Sequence, residues 1–419
     1  MQILRRSSFR AVLDQSNILR LEPFAPPRPL VGRGWGWGGE IPSTTPQNDA
    51  AERGSDIVSV SANSPHPLTP APPGGGGIAT SLLDKIWRRS IRFVLGALAL
   101  AFASPALAAD KPGKAQLQKV PALRETQVNG AQGESARGAA IWNPQDKSKA
   151  RIIGAQPQGE LELYDMNGAI LQRLGVKAPG AVDVRNHFTW IESDGAILAA
   201  TDNSDRSIVF YKLDPKTGLA DPKPRGRIRT KIKEMSAVCL SQSGADFIMV
   251  AAGKAGDVHV WTLALDPWRD VTGIKMAETQ FPSEISSCAV DDKTGALYLA
   301  ETARGIWRVD AADVKGPRTL VDSVQSEGGR LAYPVNSVST YAGDGYGLLM
   351  ASYGPDAKIA LYDRGPKNHY WVSVSVTNGK KADGVKGGLG LAAAAGSFDS
   401  ETPLGIVVIQ DSENTRPKA

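Results

Sequence analysis

Two cysteines and four histidines are all that 419 residues offer to a zinc centre, and neither cysteine lies in a CxxC pair, so zinc chemistry has no residues to build on. Long apolar runs are also missing. The longest, Phe93–Ala103, is well short of the roughly 20 residues that cross a bilayer. From residue 110 onward there is no charge excess either. The whole chain has 48 Lys+Arg against 43 Asp+Glu, but residues 1–109 hold 11 basic and 7 acidic of these, leaving 37 against 36. A near-neutral body argues against nucleic acid as a partner. Finally, no stretch after residue 110 keeps a 3.6-residue apolar period over three turns, so helices should be few.

Residues 82–109 have the composition of an export signal. Lys85, Arg88, Arg89 and Arg92 precede the apolar run, and Ala106-Leu107-Ala108 supplies small residues for cleavage. Residues 1–80 are rich in Arg, Pro, Gly and Ser, with no period that could bury a core. Because a signal works at an N-terminus, Met1 is a doubtful start. The expected organisation is an extension at 1–80, a signal peptide at 81–109 and one domain at 110–419, periplasmic or extracellular and off the membrane once cleaved. Export would permit Cys239 and Cys288 to bond. Two small buried residues are the simpler reading. The two fall on neighbouring inner strands at opposite parity, which disfavours a bridge.

That domain repeats itself. An aliphatic strand, a polar or Gly-containing loop and a second strand recur with anchors at Ile152, Ile197, Ile248, Leu297, Leu348 and Ile406, spaced 45 to 58 residues apart. Short strands of small residues precede most copies, as in AVCLSQSG (237–244) and CAVDDKTG (288–295). Such spacing predicts an all-β, six-bladed β-propeller rather than a β-sandwich, with the small side chains on the crowded inner strands.

The wording of the repeats is more specific. AAIWNPQDKSKARIIGAQPQGELELYDMNG (139–168), AVDVRNHF (181–188), AVDDKTGALYLAETARGIWRV (289–309) and GIVVIQDSEN (405–414) resemble, in order, the β-propeller phytases. The resemblance implies calcium-dependent hydrolysis of phytate. Hard Ca²⁺ needs carboxylate and carbonyl oxygens, while Lys, Arg and Tyr grip neighbouring phosphates.

Against that family pattern the chain departs repeatedly. Paired Asp become Arg137 and Gly138, a Lys pair becomes Pro157 and Gln158, and an Arg becomes Asn203. Tyr-Gly reads Ser236-Ala237, Thr-Glu-Gly reads Ile285-Ser286-Ser287, and Pro-Asp-Ile-Glu-Gly reads Tyr333 to Ser337. An Asp-rich loop keeps only Asp383, with Lys386 added, and Arg416 stands where an Asp is expected. By resemblance the surviving candidates are Glu301 for catalysis, Lys254 for a phosphate contact, and Asp183, Asp411 and Asn414 for Ca²⁺. Asp291 and Asp292 read as a hairpin turn. The expectation is an impaired or accessory member binding inositol phosphates, with a second phytase-like domain as a possible partner. A fully active phytase and a protein-interaction propeller are the alternatives.

Overall fold

The computed structural model describes residues 2–5, 117–127, 137–157, 159–191, 195–243, 246–343 and 346–412. The signal segment and almost all of the extension ahead of it lie outside these residues. The chain divides into two units, residues 1–24 with 108–419, and 25–107, and the second lies wholly outside the described residues.

Among the described residues the protein is all-β. Its only helical elements are the 3₁₀ turns Lys147–Lys149 and Gln325–Glu327, and no helix is long and apolar enough to cross a membrane. Each repeat anchor falls on a second strand: Arg151–Gln156, Ala196–Asp202, Asp246–Gly253, Ala296–Glu301, Tyr346–Tyr353 and Gly405–Asp411. Four of these, the first, second, fourth and last, are buried at every position. A strand covered on both faces has no solvent side to alternate toward, which is why the anchors read as near-continuous apolar runs.

Ahead of each anchor strand lies its inner strand: Gly138–Trp142, Val182–Arg185, Met235–Ser243, Ile285–Asp291, Val335–Gly343 and Gly387–Ala395. Each pairs antiparallel with the anchor strand that follows. Neighbouring inner strands contact one another in a closed ring, the arrangement of a β-propeller.

Hydrogen bonding gathers the strands into five blades, not the six expected. The cause is Leu117–Glu125, which runs parallel to Tyr370–Thr377, together with Gln2–Arg5, which pairs with both Leu117–Glu125 and Gly405–Asp411; the two strands join the last two repeats into one eight-stranded sheet. That sheet carries two of the inner strands, Val335–Gly343 and Gly387–Ala395.

The core lies between neighbouring strand units, and this corrects the reading of the cysteines. Val238 and Leu240 pack with Ile197 and Phe210 of the preceding sheet, while Ala237 and Cys239 pack with Ile285 and Leu297 of the following one. Cys288 packs into that second cluster from the other side. In a radial stack, parity decides which neighbour a side chain meets, so residues of opposite parity face each other across the gap. Cys239 and Cys288 therefore form a disulfide, with Cα atoms 6.0 Å apart.

The bridge closes a loop of 49 residues, and removing it should cost about 2–4 kcal/mol through the freed unfolded chain. Urea unfolding of the C239A/C288A double variant, and of the wild type with reductant, should show matching losses. Midpoints unmoved by either would mean that the bridge contributes nothing.

Candidate functional site

Gly253, Glu301, Tyr353 and Asp411 stand directly opposite the first residues of their inner strands: Met235, Ile285, Val335 and Gly387. Lys254, Glu301 and Asp411 thus share the rim at which the inner strands begin. Asp183 lies one residue into an inner strand, on the wall of the axial channel. Asn414 lies outside the described residues.

Each of the four has its own partners. Lys254 Nζ lies 2.9 Å from the Glu234 carboxylate, with both side chains substantially exposed. That hydrogen bond, with Lys254's charge and a smaller pull from Arg137, holds Glu234 below the usual glutamate range.

Glu301 is completely buried. One of its oxygens accepts from Ser283 N at 3.0 Å and Ser283 Oγ at 2.8 Å, and the other accepts from Trp307 Nε1 at 2.7 Å. Both oxygens are thus engaged in fixing the loop ahead of the fourth inner strand.

Asp183 accepts from Val184 N at 2.8 Å, Arg185 Nη1 at 3.0 Å and Leu240 N at 2.8 Å. Burial pushes its pKa up, against the opposing pull of Arg185. Arg185 also reaches Asp292 at 3.2 Å. Asp183 and Asp292 therefore bracket one guanidinium.

Asp411 alone joins a carboxylate cluster. One oxygen each from Glu125, Asp383 and Asp411 lie within 4.8 Å of one another. Asp383 and Asp411 are buried, and Lys386 N donates to Asp411 Oδ1 at 2.9 Å. Calcium–oxygen bonds of about 2.3–2.6 Å would span such a triangle, and three hard oxygens are the donor set the ion prefers. The residues fit calcium, and these three would hold it. Glu125 carries no motif in the sequence; only the pairing of Leu117–Glu125 within the eight-stranded sheet brings it here.

Four of the positions read in the sequence as departures, Asn203, Ser236, Ser286 and Asn336, are clamps. Asn203 Nδ2 donates to Met235 O at 2.9 Å, and its Oδ1 accepts from Met235 N at 2.7 Å. Ser236 Oγ donates to Ile285 O at 2.7 Å, Ser286 Oγ to Val335 O at 2.9 Å, and Asn336 Nδ2 to Gly387 O at 2.8 Å. Every one of these acceptors is the first residue of the next inner strand. A hydroxyl or amide can donate to a carbonyl, whereas an ionised carboxylate cannot, so the polar groups at these positions stitch the ring. Gly138 fits the same picture, since a Cβ there would lie 2.9 Å from Ala181 Cα and an aspartate would force the strands apart. Inside the ring is a small polar cavity of about 120 Å³, lined in part by Ser236, Ser286, Ser287, Ser337 and Ser339.

A curated 3-phytase from Bacillus subtilis (strain 168) is 29% identical over 306 residues, covering 71% of this chain and 79% of the relative. A solved structure of BBS1N in complex with ARL6DN, soaked with lead, aligns over 67% of this chain and 81% of its own at a TM-score of 0.39 and 8% identity, too weak a likeness to argue from. The family model described as Phytase matches residues 91–419, and the chain belongs to the Phytase family.

Proposed function

We propose that this protein is an exported phytase-family propeller with impaired hydrolysis, acting as an accessory unit that binds inositol phosphate. Phytase-like hydrolase chemistry is the family's business. The finer reading rests on one observation. Asn203, Ser236, Ser286 and Asn336, at positions where the family pattern carries reactive or charged groups, spend their polar atoms on backbone of the next inner strand.

What remains suits binding. Calcium held by Glu125, Asp383 and Asp411 would neutralise and polarise a phosphate, and Lys254 with Arg137 supplies fixed positive charge near Glu234. The disulfide between Cys239 and Cys288 suits an oxidising compartment. The reading of a working phytase draws on the same carboxylate cluster.

Thermal melting of the full chain with Ca²⁺ and phytate tests the binding. A ligand at a hundredfold its Kd stabilises the native state by about 2.7 kcal/mol, so the melting point should rise. Asp411→Asn should remove the calcium-dependent part of the rise. A melt that neither Ca²⁺ nor phytate moves would leave the protein-interaction propeller as the reading.

A further inference from the structure

Two unusual surfaces adjoin at the outer rim of the second and third repeats. The first is basic. The short outer strand Arg227–Arg229 and the segment after it read RIRTKIK (227–233), with cations at every second position. Ile228 and Ile232 are buried in the core beneath, which leaves Arg227, Arg229, Lys231 and Lys233 facing solvent. Arg227 is engaged by Asp202 and Asp205. The side chains of Arg229, Lys231 and Lys233 make no hydrogen bond or ion pair among the described residues. The carboxylates of Glu234 and Glu278 are met by Lys254 and Lys275 instead.

The second surface is apolar. Val271–Gln280, the outer strand of the third repeat, has only Val271 buried. Trp268, in the turn leading into it, is 82% exposed, Ile274 74% and Met276 64%. Gly226 bridges Val271 in parallel, and a Cβ on Gly273 would lie 2.8 Å from Ile228 Cδ1. Counting forward from the bridge sets Arg229 roughly level with Ile274 and Lys231 with Met276. The pKa of Glu278, lowered first by the hydrogen bond from Lys275, also feels the charge of Lys231.

Charge and apolarity together decide what covers this patch. A second copy meeting it symmetrically would set the three cations against themselves. Lys275 and the register shift opposite it also guard the strand edge against pairing. A soluble polyanion would use the cations but leave the three apolar side chains in water. An anionic bilayer uses both, because basic side chains meet its headgroups while an indole with aliphatic neighbours settles at its interface. The apolar side chains protrude instead of lining a groove, which suits a fluid surface. We propose that the outer rim carrying Arg229, Lys231, Lys233, Trp268, Ile274 and Met276 docks this protein on the surface of an anionic lipid bilayer. Such a contact lies on the membrane and needs no apolar span. It uses none of the groups assigned to calcium or phosphate.

Hydroxyl-radical footprinting of the full chain tests it, because oxidation at Trp268 and Met276 reads this surface wherever else the chain touches lipid. Vesicles of phosphatidylglycerol and phosphatidylcholine in equal parts should slow oxidation of both residues at least about fivefold, and pure phosphatidylcholine vesicles should not. The R229S/K231S/K233S variant should need about a hundredfold more anionic lipid for the same protection, since each basic residue near such a surface contributes roughly fivefold. An unchanged melting point shows that the variant is folded, and the wild-type comparison of the two lipids stands without it. Oxidation that anionic vesicles leave unchanged, equal protection by both lipids, or a triple variant protected as well as the wild type overturns the proposal. So does equal protection by soluble polyglutamate, which would make the partner an acidic polypeptide.

Discussion

Supplied with Ca²⁺ and phytate, the full-length chain should release phosphate at least about 10⁴-fold more slowly than a hydrolase working at the common 1–10³ s⁻¹. Removing a single charge-stabilising group from an active site costs about 10²–10³ in rate. On the proposed reading, several such positions are altered together. Losses within one cooperative site do not multiply freely, so the figure is set near two independent losses rather than four. The structure gives the reason that neighbouring groups would not compensate. Glu301, the carboxylate best placed on the rim, has both oxygens engaged by Ser283 and Trp307. Ser286 Oγ, which donates to Val335 O, also lies 3.2 Å from Ala300 O, and a glutamate returned to that position would aim charge at two carbonyl oxygens. A phosphate-release assay decides the matter, and turnover near 1 s⁻¹ would sink the accessory reading.

The fold was legible because propeller packing writes itself into composition. Strands covered on both faces become apolar runs, and hairpins need turn residues such as those at Asp291 to Gly295, where Thr294 N and Gly295 N both return to Asp291 O. Pairing that depends on unmarked strands was not legible. Leu117–Glu125 has no motif, yet its parallel pairing adds it beside Tyr370–Thr377 and delivers Glu125 to Asp383 and Asp411. The cysteines were misjudged because parity was read as inward against outward, whereas in this stack it selects the preceding or the following neighbour. At the site, the departures at Ser236, Ser286 and Asn336 were visible as losses. Their new role was not, because it depends on carbonyls some fifty residues onward.

Arg364→Ala should be among the most destabilising single substitutions in the propeller, at about 3–5 kcal/mol. Asp291 is fully buried in the hairpin that ends the fourth inner strand, and Arg364 grips both of its oxygens, with Nε 2.7 Å from Oδ2. Asp291 ends a strand of one sheet and Arg364 directly follows Lys358–Asp363 of another, so the pair is a clamp between neighbours. Deleting the guanidinium leaves a buried carboxylate with the neutral donors of Lys293 and Thr294 and no countercharge from Arg364, and an orphaned buried charge is the costly case. Burial works to raise the pKa of Asp291, but Arg364, with the hydrogen bonds from Thr294 and Lys293, outweighs it and holds the group below the usual aspartate value. A depressed folded pKa stabilises above the unfolded value of about 4 and is lost as pH falls through the folded one. The gap between wild type and variant should therefore be full at neutral pH, narrow as the variant's orphaned carboxyl, pushed up by burial, takes up its proton, and close as pH falls through the depressed wild-type value. Urea unfolding across that range measures it. Adding Asp291→Asn supplies the control: the double variant should lose clearly less than the two singles combined, because removing the carboxylate's charge relieves the orphan. Costs that simply add, or a gap that ignores pH, would mean that Arg364 acts through its stem packed over Gly347 and not through its charge.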